Sequence, residues 1–282
     1  MASLAYYNGK IGDPAEIKIP MLDRAVYFGD GVYDAARVYK GTVIDSSAHI
    51  DRFYNSAHAL EIELGLGKAE FLELLLSLVR RLGGESLFIY WQASRGIAPR
   101  DHTFPPGGVR PSLLITLGEA DFPDIYRRVS LITAEDTRYT LCNIKTLNLI
   151  PNVLASERAK RAGCQEAVFH RDGRVTECAH SNVHILKGGT FRTAPLDNWI
   201  LPGTARANLI KICGALGIPV DESPFTLDDL FSADEAIVSN CGCLCAAADY
   251  IDGKPVGGKS PELLRRLQEA TLRDWLAQAE TT

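Results

Sequence analysis

Two short runs of alternating apolar and polar residues open the chain. In LAYYNGKIG they flank Asn8-Gly9, a pair that favours a two-residue hairpin turn, and GVYDAARVYKGTVID repeats the arrangement about Lys40-Gly41. The period then changes. SSAHIDRFYNSAHALEI carries apolar residues at helical spacing behind a serine that predicts the N-cap, and KAEFLELLLSLVRRLGG does so before ending on glycines. SLFIYWQASRG and PSLLITLGEA return to strand character. EADFPDIYRR is polar and turn-rich, which predicts a linker over 120–127 between a small α/β domain at 1–119 and a larger domain at 128–282. Beyond it VSLITAED, QEAVFHRDGRVTE, SNVHILKGGTFRTA and DEAIVSNCGCLC predict strands. PNVLASERAKRAG, TARANLIKICGALG and SPELLRRLQEATLRDWLAQ predict helices. The order gives an α+β protein of two lobes, not the regular alternation of a doubly wound sheet. There is no internal repeat, GxGxxG or Walker loop.

Composition narrows the function classes. At 46% hydrophobic and 23% charged, the 282 residues are those of an ordinary globular protein. A net charge of −5 and the lack of a basic block argue against a nucleic-acid surface. No apolar run has the length of a membrane span. The opening residues lack a basic segment followed by an apolar core, so no signal peptide is expected, and seven cysteines fit a reducing cytoplasm.

One residue breaks the hydrophobic pattern. Lys145 sits in the apolar, strand-like run LCNIKTLNLI with no acidic residue within five positions on either side. Such a lysine either snorkels to solvent from a strand end or is desolvated towards its nucleophilic form. Glu177 in RVTECAHSN is either a solvated strand-end carboxylate or a partner for a protonated ring nitrogen. In ILPGTARANLI, Gly203 permits close approach, and the Thr204 and Ala205 amides at a helix start can hold an anion. RGIAPRDH places Arg95, Arg100 and His102 in one loop, a set able to grip a carboxylate. Alternation puts Tyr33, Ala35 and Arg37 on one face of their strand. A lysine nucleophile, a carboxylate, a phosphate cup and a carboxylate trap are the parts that a pyridoxal phosphate enzyme requires.

The motifs FGDGVYD, HIDRFYNSA, RGIAPRDH, IKTLNLIPNVLASERAKRAGCQEAVFHRDGRVTE, SNV and ILPGTAR, in this order and spacing, resemble the fold-type IV pyridoxal-phosphate aminotransferases, in particular the D-amino acid branch. The resemblance runs nearly end to end. It implies a two-domain fold with the cofactor at the domain interface, Lys145 as the Schiff-base lysine and Glu177 as partner of the pyridine nitrogen. It also implies Arg52, Thr204 and Ala205 on the phosphate, Leu201 packed on the ring, and Tyr33, Arg100 and His102 on the substrate α-carboxylate, with Arg37 on the same face. In the family the loop bearing Arg100 and His102 comes from the partner of a homodimer.

Two positions depart. SNCGCLC stands where the family shows hydroxyl residues on the phosphate, leaving Asn240, Cys241 or backbone amides to serve; His180 stands where a small hydroxyl residue is expected. Strand alternation would bring the three cysteines of CGCLC to one face without histidine support, so no metal site is expected. The expected reaction is ping-pong transamination of a D-amino acid such as D-alanine with a 2-oxo acid such as 2-oxoglutarate. Branched-chain L-amino acid or R-amine transamination, aminodeoxychorismate lysis, and non-catalytic pyridoxal phosphate binding are the alternatives.

Overall fold

Asn8 and Gly9 both take positive φ, 47° and 93°, and close the hairpin between β1 (Ser3–Tyr7) and β2 (Lys10–Gly12). Lys40 and Gly41, at 49° and 83°, do the same between β3 (Gly31–Tyr39) and β4 (Thr42–Val43), and α1 (Arg24–Phe28) precedes them. The structure, a computed structural model, describes residues 2–280. Two units emerge: Met1–Phe122 with Ile144–Asn148 and Gln278–Thr282, and Pro123–Asn143 with Leu149–Ala277.

In the first unit α2 (Ser46–Ala59), α3 (Lys68–Leu82), β5 (Ser86–Ser94) and β6 (Ser112–Glu119) follow β4. Over the described residues the sheet is six-stranded and antiparallel, in the order β2-β1-β6-β5-β3-β4. Alternate residues of one face, among them Val32, Ile89, Trp91 and Ile115, are fully buried with Phe53 and Phe71 of the helices. The Phe53, Phe71 and Trp91 rings meet at centroid distances of 5.4–6.3 Å.

Two local expectations are corrected here. The cap of α2 is Asp45, not a serine; its φ is 51° and its side chain makes no cap bond. Asp45 is instead held reciprocally by Gln278, whose Oε1 accepts from its N–H (2.8 Å) and whose Nε2 donates to its Oδ1 (3.2 Å). Residues 144–148 form no strand. They meet β3 through a single bridge, Val32 opposite Thr146. Tyr33 N–H donates to the Lys145 carbonyl and Leu147 N–H to that of Gly31, both at 3.0 Å, and Lys145 N–H donates to Ser56 Oγ at 3.2 Å. These bonds assign the lysine to the first unit, although the linear division at 128–282 had assigned it to the second.

The second unit runs β7 (Arg128–Glu135), α4 (Ile150–Arg161), β8 (Glu166–Arg171), β9 (Arg174–Cys178), β10 (Asn182–Lys187), β11 (Thr190–Thr193), α5 (Thr204–Leu216), β12 (Val220–Asp221), α6 (Leu227–Ser232), β13 (Glu235–Ser239), β14 (Ala246–Ile251), β15 (Lys254–Pro255) and α7 (Pro261–Glu280). Over the described residues its sheet has nine strands in the order β12-β11-β10-β13-β14-β7-β8-β9, with β15 paired to β14. Pairing is parallel at β11/β12, β14/β7 and β7/β8. NCGCLC is a turn, so the alternation assumed for its cysteines does not hold. Asn240 Oδ1 accepts from the N–H groups of Gly242 (2.6 Å) and Cys243 (2.9 Å), an Asx-type closure that bends the chain after β13. Burial pushes the Cys243 thiol up to about 12.

One buried polar group of this sheet sets a pH dependence. His184 of β10 is fully buried between Thr193 Oγ1 (2.9 Å) and Ser239 Oγ (2.8 Å), and its ring stacks on Phe191. Burial, with the Arg206 charge added, holds it down from 6.5 to about 3. Its folded value is depressed, so the unfolded chain takes up the proton first. Stability contributed by the neutral ring is therefore present above pH 6.5 and lost as pH falls towards 3, at about 1.4 kcal/mol per unit. Urea unfolding followed from pH 7 to pH 4 should show this slope, and His184→Gln should flatten it; equal slopes in the two proteins would contradict the assignment.

Candidate active site

Lys145 Nζ lies 4.2 Å from the centroid of the Tyr33 ring, and among the described residues it makes no ion pair. The contact is a cation–π one, which positions the side-chain nitrogen over the ring face without an ion pair. Tyr33 is oriented by its neighbour across the sheet. It stacks on Tyr90 (5.6 Å, 28°), whose hydroxyl donates to Gln92 Oε1 at 2.8 Å. Arg37 shares this face but does not join them. Its Nη1 donates to the Asp121 carbonyl at 2.9 Å, and its guanidinium carbon lies 6.0 Å from the Phe88 ring.

On the other face of β3, Asp34 is wholly buried, with Arg52 Nε and Nη2 gripping its two oxygens (2.8 and 2.7 Å) and His49 Nδ1 at 2.8 Å. Burial raises this carboxyl, but the Arg52 charge and its hydrogen bonds, with His49, override that and hold it well below the ordinary carboxylate range. Arg52 is thus a fixed cation, its planar fork oriented by a carboxylate.

Arg100 and His102 share one platform. The Arg100 guanidinium carbon lies 5.2 Å from the Phe28 ring centroid, and the His102 ring lies at the same distance. Arg95 does not belong with them. It spends its donors on Asp30 Oδ2 (2.9 Å) and the carbonyls of Glu61 (3.0 Å) and Leu60 (2.7 Å).

In the second unit Glu177 closes β9, 5% exposed. One carboxylate oxygen accepts from Arg138 Nη1; the other accepts from Leu201 N–H (2.9 Å) and Asn182 Nδ2 (3.1 Å). Arg138 is itself held in a fork by Asp136, at 2.9 and 2.8 Å, and donates to the Trp199 carbonyl at 3.1 Å. Burial opposes its charge, but Asp136 and Glu177 more than offset this and raise it further above the ordinary range. Leu201, expected as a packing side chain, is engaged here through its backbone, since its carbonyl also accepts from Asn182 Nδ2 (3.1 Å). At Gly203 an added Cβ would collide with Asn182 Oδ1. Gly203 therefore serves as the N-cap of α5 without a side-chain cap bond, and the first-turn amide of Ala205 has no intrahelical acceptor.

His180 and Asn240 are joined. His180 Nδ1 lies 2.9 Å from Glu166 Oε2, which accepts from Ser181 Oγ (2.9 Å), and Ser181 Oγ accepts from Asn240 Nδ2 (2.8 Å). Arg138, Asn182, Ser181, Glu166, Asp34 and His49 were not singled out by the sequence reading. Their partners lie on other elements, and the only local signal was the pairing of Asp136 with Arg138 two residues on.

Residues 31–248 match the family described as amino-transferase class IV. The D-alanine aminotransferase of Staphylococcus aureus strain MSSA476 is 39% identical over 267 residues, 94% of this chain and 95% of that one. The chain belongs to the class IV aminotransferases. The D-alanine aminotransferase of Bacillus licheniformis is 34% identical over 98% of both chains. Among solved structures, the T.th. branched-chain amino acid aminotransferase complexed with N-(5'-phosphopyridoxyl)-L-glutamate superposes with a TM-score of 0.89 at 26% identity, covering 99% of this chain and 95% of that one. That of Escherichia coli gives 0.84 at 23%, covering 99% and 96%, a likeness of fold.

Pyridoxal phosphate is the cofactor of this aminotransferase, and the donor set fits it. Among the described residues there is a lysine without an ionic partner, a carboxylate held by Arg138, Asn182 and the Leu201 amide, and a helix start whose N-cap, Gly203, has no side chain to crowd an anion. Arg138→Met should leave the Glu177 and Asp136 carboxylates buried without their shared cation. A loss of about 3–5 kcal/mol is expected. Urea unfolding of the apoprotein measures it, and a loss below 1 kcal/mol would show that Arg138 is dispensable.

Proposed function

We propose that this aminotransferase transfers the amino group of a D-amino acid, D-alanine being the reference donor, to a 2-oxo acid such as 2-oxoglutarate, giving pyruvate and D-glutamate, as a cytoplasmic homodimer. The observation that carries the catalytic reading is Lys145 Nζ poised 4.2 Å from the Tyr33 ring centroid, with no carboxylate paired to it among the described residues. The choice of D over branched-chain L substrates is supported by curated D-alanine aminotransferases at 34–39% identity, against 22–26% for the branched-chain enzymes of similar fold. Exposed apolar side chains such as Met21 and Val26 in the first unit, and Ile150 and Val153 in the second, support a partner copy.

Each residue then has a distinct task. Lys145 would hold the cofactor through its amine, and the same amine would serve as the base that takes the proton from the substrate α-carbon. Glu177, an anion kept in place by Arg138, Asn182 and the Leu201 amide, would accept a hydrogen bond from the cofactor's ring nitrogen and so favour its protonated form. Pyridoxal phosphate supplies the electron sink and carries the amino group between donor and acceptor. Arg52 would offer its charge, and Thr204 and Ala205 their amides, to the phosphate; Asn240, Cys241 and Leu201 would complete the set that holds the cofactor. Tyr33, Arg100 and His102 take the α-carboxylate. With the α-hydrogen facing the Lys145 amine and the carboxylate held, the side chain has one direction left, which selects one enantiomer.

Borohydride reduction of the holoenzyme and peptide mapping should place the pyridoxyl label on Lys145; a label on another lysine would overturn the assignment. Arg100→Ala should lower kcat/KM for D-alanine by roughly 30- to 1000-fold, the worth of a charge-assisted bidentate contact of roughly 2–4 kcal/mol, with the cofactor absorbance unchanged. A preference of the wild-type enzyme for L-valine or L-leucine, or full D-alanine turnover in Arg100→Ala, would defeat this reading.

A further inference from the structure

Residues 96–104 form an irregular loop, buried at Gly96 and Ala98 and exposed from Pro99 onward, and its tip carries Arg100 and His102. Its base is well tied. Ile97 bridges Asp23, Ala98 N–H donates to the Leu22 carbonyl (3.0 Å), and Arg24 N–H donates to that of Gly96 (2.9 Å). An added Cβ at Gly96, where φ is +116°, would collide with the Arg110 carbonyl, so the chain can turn there only as glycine. The tip has no such backbone ties. Among the described residues, one side chain from outside the loop hydrogen-bonds the backbone of residues 100–103. It is Arg24, whose Nη1 donates to the carbonyls of Asp101 (2.7 Å) and Thr103 (3.3 Å), the two residues flanking His102.

Arg24 has no other exposed business. It is 3% exposed, its Nε donates to Asp30 Oδ2 at 2.7 Å, and its guanidinium carbon lies 4.9 Å from the Phe28 ring. That is the ring on which Arg100 and His102 rest. Asp30 Oδ2 also accepts from Arg95 Nε, and the Arg95 guanidinium carbon sits 3.7 Å from the centroid of Phe104 at the far end of the loop. One carboxylate thus orients two arginines that hold the loop at its tip and at its exit.

We propose that Arg24 is a positioning residue for substrate carboxylate recognition: it clamps the backbone on both sides of His102 and so holds Arg100 and His102 in a binding-competent arrangement, without touching substrate. The inference rests on the assignment of Arg100 and His102 to the α-carboxylate. Its physical basis is preorganisation. A loop with several accessible arrangements binds with an affinity reduced by the fraction of time it spends in the competent one. Lysine at this position retains a charge for Asp30 but lacks the planar fork that reaches Asp30 and two carbonyls together.

The experiment compares the wild-type holoenzyme with Arg24→Lys in two readouts. The first is trypsin cleavage after Arg100, which is exposed at the loop tip. The wild-type bond should resist, and the variant should be cut at least about tenfold faster, since cleavage follows the open population. The second is the division between KM and kcat for D-alanine. KM should rise about tenfold for a competent fraction near one-tenth, while kcat stays within about threefold and the cofactor absorbance is unchanged. A merely structural arginine would, on replacement, lower kcat and cofactor occupancy as well as raise KM. Equal trypsin rates with an unchanged KM would overturn the clamp. So would rapid cutting after Arg100 in the wild type, a result that stands even if the variant does not fold. A wild-type enzyme without D-alanine turnover would instead defeat the substrate reading and leave the trypsin comparison to decide the clamp.

Discussion

Everything on the lysine side of the site depends on how closely residues 144–148 lie along β3. Tyr33 N–H to the Lys145 carbonyl and Leu147 N–H to the Gly31 carbonyl fix the backbone at two points, and the lysine side chain then meets the Tyr33 ring. Such an approach tolerates no side chain at residue 31, where a Cβ would collide with the Ala93 carbonyl and come within 2.8 Å of Leu147 Cδ1. The glycine of FGDG therefore has a steric reason. β3 is occupied on all sides: its edge holds the lysine segment, one face presents Tyr33, and the other is anchored by the Asp34–Arg52–His49 cluster. A shift of one residue along this strand would exchange the two faces and put Tyr33 in the core.

The hairpins at Asn8-Gly9 and Lys40-Gly41, and α3 ending at Gly83, were legible because their determinants lie within a few residues of one another. Hydrophobic period does not report contacts made at long range. The run around Lys145 looked like a strand because it is apolar. It is irregular because its partner is one bridge on β3 and the Ser56 hydroxyl, 89 positions away. Arg138 and Arg24 were illegible for a similar reason. Their partners Glu177 and Asp101 lie 39 and 77 positions off, and an arginine in a polar stretch carries no periodic mark of burial. The residues expected at the cofactor were singled out through the resemblance, which reads spacing; the groups that hold those side chains in place are visible only in the fold.

Glu177 and Glu166 illustrate why such holding groups are needed. Both are nearly inaccessible carboxylates, 5% and 3% exposed, on the hairpin formed by β8 and β9. A buried carboxylate without donors is costly, so each must be satisfied in full. Glu177 has a buried guanidinium, an amide side chain and a backbone N–H, all rigid. Glu166 has the Ser181 hydroxyl and the His180 imidazole, and through Ser181 its hydrogen bonds extend to Asn240.

That extension changes how the two departures from the family pattern are read. His180 in place of a small hydroxyl residue and Asn240-Cys241 in place of hydroxyl residues look unrelated in the sequence. In the fold they are the two ends of one chain of hydrogen bonds, from His180 through Glu166 and Ser181 to Asn240, whose own Oδ1 closes the turn containing Cys241. Groups that share a network do not vary independently, because each substitution changes the partners available to the next. Within this turn, Asn240 Oδ1 takes up the amides of Gly242 and Cys243, and that closure directs the backbone through residue 241. Cys241 therefore lies in a turn whose closing side chain, Asn240, is the far end of a network that begins at His180.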